Sequence, residues 1–166
     1  HDLTRQVIPA MRAQGHGRIV QNSSVLGLVA IGWRGAYVST KFAIEGLTDT
    51  LRIEMRGTGI HVSLIEPGPV KTKIRENARA PFERWIDWEN SVRMADYRDK
   101  LRPRLYSQRK KDKFELLPDA VTKKLIHAVE ASRPRARYYV TTPTYFAGTL
   151  RRILPTRALD WVISKG

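Results

Sequence analysis

The apolar residues of this chain change their spacing several times, and each change predicts a new element. Near the start they recur every three to four positions, which is the spacing of an amphipathic helix that Gly15 ends. The residues that follow Gly17 are short and β-branched and predict a strand over about 18–22. The apolar positions of the first helix are Leu3, Val7, Ile8 and Met11.

The alternation of helical and extended spacing continues along the chain. Segment 37–56 is a long amphipathic helix, and 60–66 is a second strand that Pro67 stops. Another amphipathic helix is predicted over 118–132, and a third strand over 137–142. This order predicts a parallel sheet covered by helices, which is a doubly wound, Rossmann-like α/β fold. The face predicted to be buried in the 118–132 helix carries Val121, Leu125, Ile126 and Val129.

Two stretches depart from this regular pattern. Residues 73–113 are rich in Arg, Lys, Trp and Tyr and predict one or two irregular helices. The tail, 143–166, mixes apolar and basic residues at helical spacing. We therefore interpret the chain, 1–166, as part of a single domain that carries an insert at about 73–113.

The amino-acid composition of the chain limits the kinds of catalytic and metal sites that it can contain. The 166 residues are 42% hydrophobic, which is typical of a globular domain, and include no cysteine. Disulfides, thiol catalysis and cysteine zinc sites are excluded, and no metal site is expected. The net charge of +14 is compatible with an anionic partner. Uncharged stretches such as 25–33 are far too short to span a bilayer.

One stripe of the long helix combines a phenol and an ammonium with core residues. At 100° per residue, Tyr37 and Lys41 share a face. A phenol has a reference pKa of about 10, too high for a base at neutral pH, and a nearby ammonium lowers such a pKa. When a tyrosine and a lysine four positions apart occur without other signals, the ring usually packs against the protein and the lysine extends to water. The surrounding sequence must therefore show whether this pair has a chemical role. The stripe continues through Ile44, Thr48, Leu51 and Met55.

The context is a pair of strand ends. Ser23 and Ser24 follow the first strand, and segment 67–72, PGPVKT, follows the second. In an open parallel sheet, ligands bind beyond the carboxyl ends of the strands. The helix with the phenol and the ammonium lies between these strands in sequence. Hydroxyls, phenol and ammonium are therefore expected to converge on one crevice.

Three segments, GRIVQNSS, YVSTK and EPGPVKT, resemble in order and spacing the second half of a classical short-chain dehydrogenase/reductase. Ser24 stands 13 positions before Tyr37, as the catalytic serine of that family does, which selects it over Ser23. The resemblance is close over 1–72 and weaker beyond. It implies an enzyme that transfers a hydride between NAD or NADP and a secondary alcohol or carbonyl.

The resemblance implies a role for each candidate. Tyr37 would exchange a proton with the substrate oxygen, Ser24 would hold that oxygen, and Lys41 would lower the pKa of the phenol. These three are the catalytic residues. The loop after the second strand would lie beside the nicotinamide and meet its carboxamide. The implied cofactor-binding set is Tyr37, Lys41, Pro67, Gly68, Val70 and Thr72.

Other parts of the family pattern have no counterpart here. A glycine-rich phosphate loop, a selector between NAD and NADP, and a catalytic asparagine would precede His1 in the family. We therefore expect the chain to be the C-terminal portion of the domain and to be inactive alone. The substrate, the choice of NAD or NADP, and the oligomeric state stay open.

The insert and the tail carry finer expectations. EPGPV and the long insert resemble the branch of the family that acts on steroids, retinoids and other lipophilic alcohols. The segment after Thr72 would then be a lid over the crevice. The tail, 145–163, could wall the substrate pocket, or it could lie on an anionic membrane where such substrates dissolve. The lid residues are Phe82, Trp85, Ile86 and Met94.

The family also implies assembly and location. Many members bury the helices equivalent to 2–13 and 38–56 in a four-helix bundle, so a homodimer or homotetramer of the full-length protein is expected. Ala43, Leu47 and Ile53 would supply that second apolar face. A cytoplasmic protein, in peripheral contact with a membrane at most, is expected.

The alternative is a nucleic-acid or anionic-surface binder without catalysis. Segment 98–113 has eight Lys or Arg residues against two Asp, and Tyr106 and Trp88 could stack on bases. A solvated, charged lid segment explains the same residues and is favoured, so no nucleic-acid partner is expected.

Overall fold

The computed structural model describes residues 1–107 and 112–165. These form two compact units: residues 1–70 with the residues from Phe114 onward, and Lys71–Lys113. In chain order the elements are α1 (Asp2–Gln14), β1 (Gly17–Asn22), a 3-10 turn (Val25–Gly27), α2 (Gly35–Glu54), β2 (Ile60–Glu66), α3 (Ile74–Asn77), α4 (Arg79–Trp85), α5 (Met94–Asp96), a π-helical turn (Tyr97–Leu101), α6 (Arg102–Tyr106), α7 (Asp119–Glu130), β3 (Arg137–Tyr139), α8 (Thr142–Ile153) and α9 (Thr156–Ser164).

The first unit is built on a three-stranded parallel sheet in the order β1-β2-β3. Gly17 pairs with Ile60 and Asn22 with Ile65, so β1 and β2 end side by side. The shorter β3 pairs only with the second half of β2. The residues that follow β1 and β2 therefore emerge at one edge of the sheet, as predicted.

Helices cover both faces of the sheet. On one face, Ile19 and Val62 pack with Met55 and with partly buried residues of α1 and α2. On the other face, Ile65 and Tyr138 pack with Ala128 of α7. This arrangement confirms the predicted parallel α/β, Rossmann-like fold.

Two glycines shape the connection between α1, β1 and β2. Gly15 ends α1 with φ 76°, a conformation that costs a residue with a Cβ considerable strain. Gly59 precedes β2 with φ 74°, and a Cβ there would strike the carbonyl oxygen of Gly15. The backbones of the two turns therefore approach more closely than a side chain would allow.

The predicted buried face of α7 is wrong in part. Val121 does pack on the sheet, but Leu125, Ile126 and Val129 are exposed, and the residue fully buried against the sheet is Ala128. Apolar residues occupy more than one face of α7, and the small alanine lets the helix approach the sheet. The spacing of apolar residues alone had predicted that the larger side chains of α7 would be the buried ones.

The third strand is shorter than predicted. β3 ends at Tyr139, and Thr142 already begins α8. Pro143 lies in the first turn of α8, where a proline favours the start of a helix because the missing N–H has no partner there.

The described part of the second unit, Lys71–Lys113, contains four short helices, α3 to α6, and a π-helical turn, where one or two irregular helices were predicted. Phe82 and Tyr97 are in ring contact, with centroids 6.2 Å apart. The guanidinium of Arg102 lies 4.4 Å from the ring centroid of Trp88. Across the described residues of both units, no helix is long and apolar enough to cross a membrane.

Candidate active site

Ser24 lies just beyond the end of β1. The N–H of Ser23 donates to the carbonyl of Ile65 at 2.8 Å, which extends the ladder between β1 and β2 by one residue. Ser24 then begins the 3-10 turn, and its Oγ accepts from the N–H of Leu26 at 3.2 Å. Its side chain is partly exposed, whereas Ser23 is buried. Only the second serine therefore has a hydroxyl that a ligand could reach.

Tyr37 and Lys41 lie in the first turns of α2. The Nζ atom of Lys41 is 5.6 Å from the ring centroid of Tyr37 and donates to the carbonyl of Asn22 at 2.9 Å. Tyr37 is 37% exposed. The ammonium thus joins the start of α2 to the end of β1, and the phenol one turn away stays accessible.

The loop after β2 is tied to the turn that carries Ser24. The N–H of Val25 donates to the carbonyl of Pro67 at 2.8 Å. A Cβ on Gly68 would collide with the hydroxyl groups of Thr141 and Thr144, so only glycine lets the loop lie this close to the start of α8. Val70 forms a bridge with Leu116.

The structure therefore ties Lys41 and Pro67 to the residues around Ser24: Lys41 donates from its side chain to the carbonyl of Asn22, and the N–H of Val25 donates to the carbonyl of Pro67. Tyr37 lies on the same helix as Lys41. Thr72 belongs to the second unit, where its Oγ1 accepts from the N–H of Ile74 at 3.4 Å. Its part in cofactor binding stays a prediction.

The four predicted lid residues also lie in the second unit. Phe82 contacts Tyr97, while Trp85 is 71% exposed and is covered on one side by the guanidinium of Arg84, 4.7 Å from its ring centroid. Ile86 and Met94 are also exposed. The unit therefore offers apolar surface, and the role of that surface as a lid stays a prediction.

Sequence reasoning missed a buried ionic cluster behind the site. Arg137, the first residue of β3, donates from Nη1 to Glu45 and to Glu66, each at 2.5 Å, and from Nη2 to Asp49 at 2.7 Å. Glu66 is fully buried and Glu45 nearly so. Glu45 lies one turn beyond Lys41 on α2, and Glu66 directly precedes Pro67. One guanidinium therefore joins α2 to the end of β2, directly before the loop that begins at Pro67.

The carboxyl groups in this cluster have an unusual electrostatic environment. Burial first, and then the nearby charge of Glu45, raise the pKa of Glu66 to about 8, against the opposing effect of Arg137. Glu66 therefore keeps its proton to a higher pH than an exposed glutamate does. Burial lowers the pKa of Arg137, but the hydrogen bond to Glu45 and the charges of Glu66 and Asp49 outweigh that effect and raise it overall.

A sequence signal for this cluster existed in the hydrophobic pattern. Glu66 ends a run of five buried positions in β2 and Arg137 begins a strand, so both place a charge where an apolar residue is expected. Buried charges in proteins are paired. The pairing itself could not be inferred, because the partners are 71 to 92 positions apart.

The alternative of a nucleic-acid binder finds no support. In the described part of segment 98–113, the hydroxyl of Tyr106 donates to Glu83, and Arg102 lies over both aromatic rings proposed for base stacking. Residues 108–111, the most basic part of this segment, lie outside the described residues.

Comparison with known proteins agrees with this geometry. The family model for short chain dehydrogenase matches residues 2–82. The uncharacterized oxidoreductase YbbO of Escherichia coli (strain K12) is 38% identical over 163 residues, which cover 98% of this chain and 54% of YbbO. Human 17-beta-hydroxysteroid dehydrogenase type 1 is 31% identical over 142 residues, which cover 84% of this chain and 42% of the human protein.

Among solved structures, a short chain dehydrogenase/reductase from Burkholderia phymatum in complex with NAD is 25% identical, with a TM-score of 0.61. The match covers 96% of this chain and 53% of that one. The chain thus spans about half the length of YbbO and of the B. phymatum protein. With the parallel sheet and the Ser24, Tyr37 and Lys41 positions, these matches show that the chain belongs to the short-chain dehydrogenase/reductase family.

Proposed function

We propose that this chain carries the catalytic half of an oxidoreductase that interconverts an alcohol and a carbonyl compound with a nicotinamide cofactor. One observation carries the proposal: the ammonium of Lys41 lies against the ring of Tyr37 while it holds the end of β1 beside Ser24. A phenol, an ammonium and a hydroxyl at adjoining strand ends are the groups that proton transfer at a substrate oxygen requires.

The chemical step divides between cofactor and protein. A bound nicotinamide would supply the hydride chemistry, taking up the hydride from the alcohol carbon in oxidation and giving it to the carbonyl carbon in reduction. Tyr37 accepts the hydroxyl proton of the alcohol during oxidation and donates a proton to the carbonyl oxygen during reduction. Lys41 places its positive charge 5.6 Å from the centroid of the ring that exchanges this proton. Ser24 positions the substrate oxygen with its accessible hydroxyl.

The residues present suit the nicotinamide end of such a cofactor. Lys41 has three N–H donors and uses one of them on the carbonyl of Asn22, so the ammonium can also donate to ribose hydroxyls. The B. phymatum relative was solved with NAD, which supports the same class of cofactor. The loop at 67–70 would lie beside the nicotinamide, and Thr72 would contact its carboxamide.

Replacing the phenol tests the proposal. In the full-length protein, Tyr37→Phe should lower turnover at least about a hundredfold, which is the scale of general acid–base catalysis. Ser39→Ala is the matched control, because it removes an exposed hydroxyl from the same part of α2. Near-normal turnover of a folded Tyr37→Phe variant would contradict the assignment.

The finer proposal concerns the substrate. We propose a lipophilic alcohol or carbonyl compound, held by Phe82, Trp85, Ile86 and Met94 as a lid. The exposed apolar surface of the second unit supports this proposal, and so does the relative named for a hydroxysteroid. A lid of this kind would exclude water from the reacting atoms.

We also propose that the full-length protein forms a homodimer, or a homotetramer that contains this dimer, through α1 and α2. Leu47 and Ile53 project from α2 with 50% and 60% of their surface exposed, and Ala43 is exposed on the same helix. Burial of such side chains is favourable by about 1.5–3 kcal/mol each. A monomer at micromolar concentration in sedimentation velocity would contradict this proposal.

The last two helices support a peripheral membrane contact. Phe146, Ile153 and Trp161 are exposed on α8 and α9, and Arg151 and Arg157 lie between them in sequence. Exposed apolar side chains with flanking cations are typical of helices that lie on anionic bilayers. Flotation with anionic liposomes at low salt tests the contact, and failure to co-float would contradict it.

A further inference from the structure

A second concave surface lies along the outer edge of β3, away from the proposed catalytic residues. One cavity of about 170 Å³ is lined by residues of α7, β3 and α8, and a second of about 350 Å³ adjoins it. Both are lined by Lys124, Arg135 and Tyr138. Neither is lined by Ser24, Tyr37 or Lys41. We call the continuous surface formed by the two cavities the basic hollow.

The charge of the basic hollow is strongly one-sided. Among the described residues that line it there is no carboxylate. Arg137 is committed to three carboxyl groups, those of Glu45, Glu66 and Asp49. In contrast, no described Asp or Glu forms an ion pair with the other basic lining residues, which are Lys123, Lys124, Arg135 and Arg152.

The backbone that carries Arg135 is held in place. The hydroxyl of Ser63 donates to its carbonyl at 2.8 Å, and its own N–H donates to the Oη atom of Tyr138 at 2.9 Å. His127 also pairs with this Oη atom, through Nδ1 at 2.9 Å. A loop anchored from both β2 and β3 presents its guanidinium from a defined position, which lowers the entropic cost of holding a ligand.

Phenol groups complete the lining of the smaller cavity. The rings of Tyr139 and Tyr145 meet edge to face, with centroids 5.3 Å apart. Burial raises the pKa of Tyr139, so its hydroxyl stays protonated and can donate a hydrogen bond. The charge of Arg152 acts on the same phenol in the opposite sense, which places this guanidinium near it.

We propose that the basic hollow binds the phosphate group of a small ligand or of a lipid headgroup, with Lys124, Arg135 and Arg152 as its cationic contacts. Guanidinium groups match a phosphate with two parallel hydrogen bonds, and an ammonium adds a point charge. The smaller cavity is below the 300–1,000 Å³ typical of drug-sized ligands, so it suits a compact anion with the rest of the ligand in the larger cavity.

Protection of the sheet edge is a competing explanation for the same cations. Charged residues on an exposed edge strand hinder pairing with another strand. That role requires a charge near β3 but no particular set of side chains, and it predicts no saturable binding of phosphate. The two explanations therefore give different results when single cations are neutralised.

The test is titration of the folded chain with inorganic phosphate and then with glycerol 3-phosphate, by calorimetry at constant ionic strength. We expect Arg135→Gln and Arg152→Gln each to weaken binding about tenfold, which is the effect of losing a charge-assisted hydrogen bond. The matched controls are Arg133→Gln and Arg151→Gln, which neutralise exposed neighbours that line neither cavity. The controls should change binding by less than about twofold.

Vesicles distinguish the two sources of the phosphate. Phosphatidylcholine vesicles with phosphatidic acid should retain the chain if the ligand is a headgroup, and glycerol 3-phosphate should then compete. Binding of glycerol 3-phosphate without retention on vesicles would identify a soluble ligand. The proposal is overturned if no saturable phosphate binding is detected at millimolar concentration, or if the hollow and control variants weaken it equally. Calorimetry and vesicle retention both measure phosphate binding directly, so neither depends on oxidoreductase activity.

Discussion

The two compact units of this chain differ most in what they do with their large apolar residues. In the first unit, Ile19, Val62, Leu64 and Ile65 are buried in a sheet with helices on both faces. In the second unit, no described residue of Lys71–Lys113 is buried, although it contains Phe82, two tryptophans and two tyrosines. Aromatic content therefore does not predict a core, since burial requires a second layer for the side chains to pack against.

The polar interactions of the two units differ in the same way. The first unit holds the Arg137 cluster, in which Glu45 and Glu66 are buried and water screens their charges less than it screens charges at the surface. The second unit holds exposed pairs on its surface, such as Arg98 with Asp99 and Lys100 with Asp96. Exposed ion pairs contribute about 0–1 kcal/mol, whereas loss of one partner of a buried pair costs about 3–5 kcal/mol. Substitutions should therefore affect the two units very differently.

The largest expected effect on stability comes from Arg137. Arg137→Met should reduce the free energy of unfolding by about 3–5 kcal/mol, because it leaves the buried carboxylate of Glu45 without its cation and the buried carboxyl group of Glu66 without its hydrogen-bond donor. The matched variant in the second unit is Arg102→Met, which loses contacts with exposed aromatic rings and should cost at most about 1 kcal/mol. Urea unfolding measures the loss of unfolding free energy in both variants. Equal losses would contradict the proposed difference between the buried cluster of the first unit and the exposed contacts of the second.

The second effect is a dependence of stability on pH that has opposite signs in the two units. The folded state keeps the proton on Glu66 up to pH about 8, while the unfolded state releases it near 4.5. Stability of the first unit should therefore fall as pH rises through this window, by at most about 1.4 kcal/mol per pH unit, and then level off. Glu66→Gln should flatten this slope in thermal unfolding.

In the second unit, hydrogen bonds first from Lys100 and then from Arg93 lower the pKa of Asp96. Its contribution is present above the unfolded value of 3.8 and is lost as pH falls below that value. Asp96→Asn should therefore lower stability slightly above about pH 4, and this difference from the unsubstituted chain should disappear in more acidic solution. A Glu66→Gln protein with an unchanged slope between pH 4.5 and 8 would contradict the assignment of the slope to Glu66.

A smaller loss should follow from filling the space beside Gly68. Gly68→Ala places a Cβ against the hydroxyls of Thr141 and Thr144 and should cost about 1–3 kcal/mol. Gly32→Ala is the control, because nothing lies within 4 Å of a Cβ there, and it should change stability by less than about 0.5 kcal/mol. Thermal unfolding compares the two, and an equal loss would show that close approach is not what position 68 requires.

The smallest effect on stability, and a clear one on function, is expected for the proposed lid. Trp85→Ala with Ile86→Ala should leave the unfolding free energy within about 0.5 kcal/mol, since both side chains are exposed. The KM for a lipophilic alcohol should rise about tenfold or more, because burial of each side chain against substrate contributes about 1.5–3 kcal/mol.

Two controls accompany the lid variant. Val92→Ala changes a fully exposed apolar residue of the same unit and should leave both quantities unchanged. A small polar alcohol should show little change in KM with the double variant. Equal changes for the polar and lipophilic substrates would remove the lid proposal.

Local pattern predicted the elements that depend on neighbours in sequence. Glycines at the ends of α1 and before β2, the spacing of α2 and the β-branched runs of β1 and β2 all appear as expected. The face of α7 and the length of β3 did not follow from pattern. Apolar residues occupy more than one face of α7. The face that packs on the sheet is the one with Ala128, because this small side chain lets the helix lie close to the strands.

By itself, the sequence determined that Ser24, Tyr37 and Lys41 would come near one another. Their spacing places a hydroxyl at a strand end and the other two groups one turn apart on the next helix, and parallel strands share a carboxyl edge. Only the tertiary structure decided how that arrangement is held and what surrounds it. The pairing of Arg137 with Glu45, Asp49 and Glu66 depends on contacts across 71 to 92 positions. No local spacing encodes such contacts, because they form only when the packed layers exclude water from the charges.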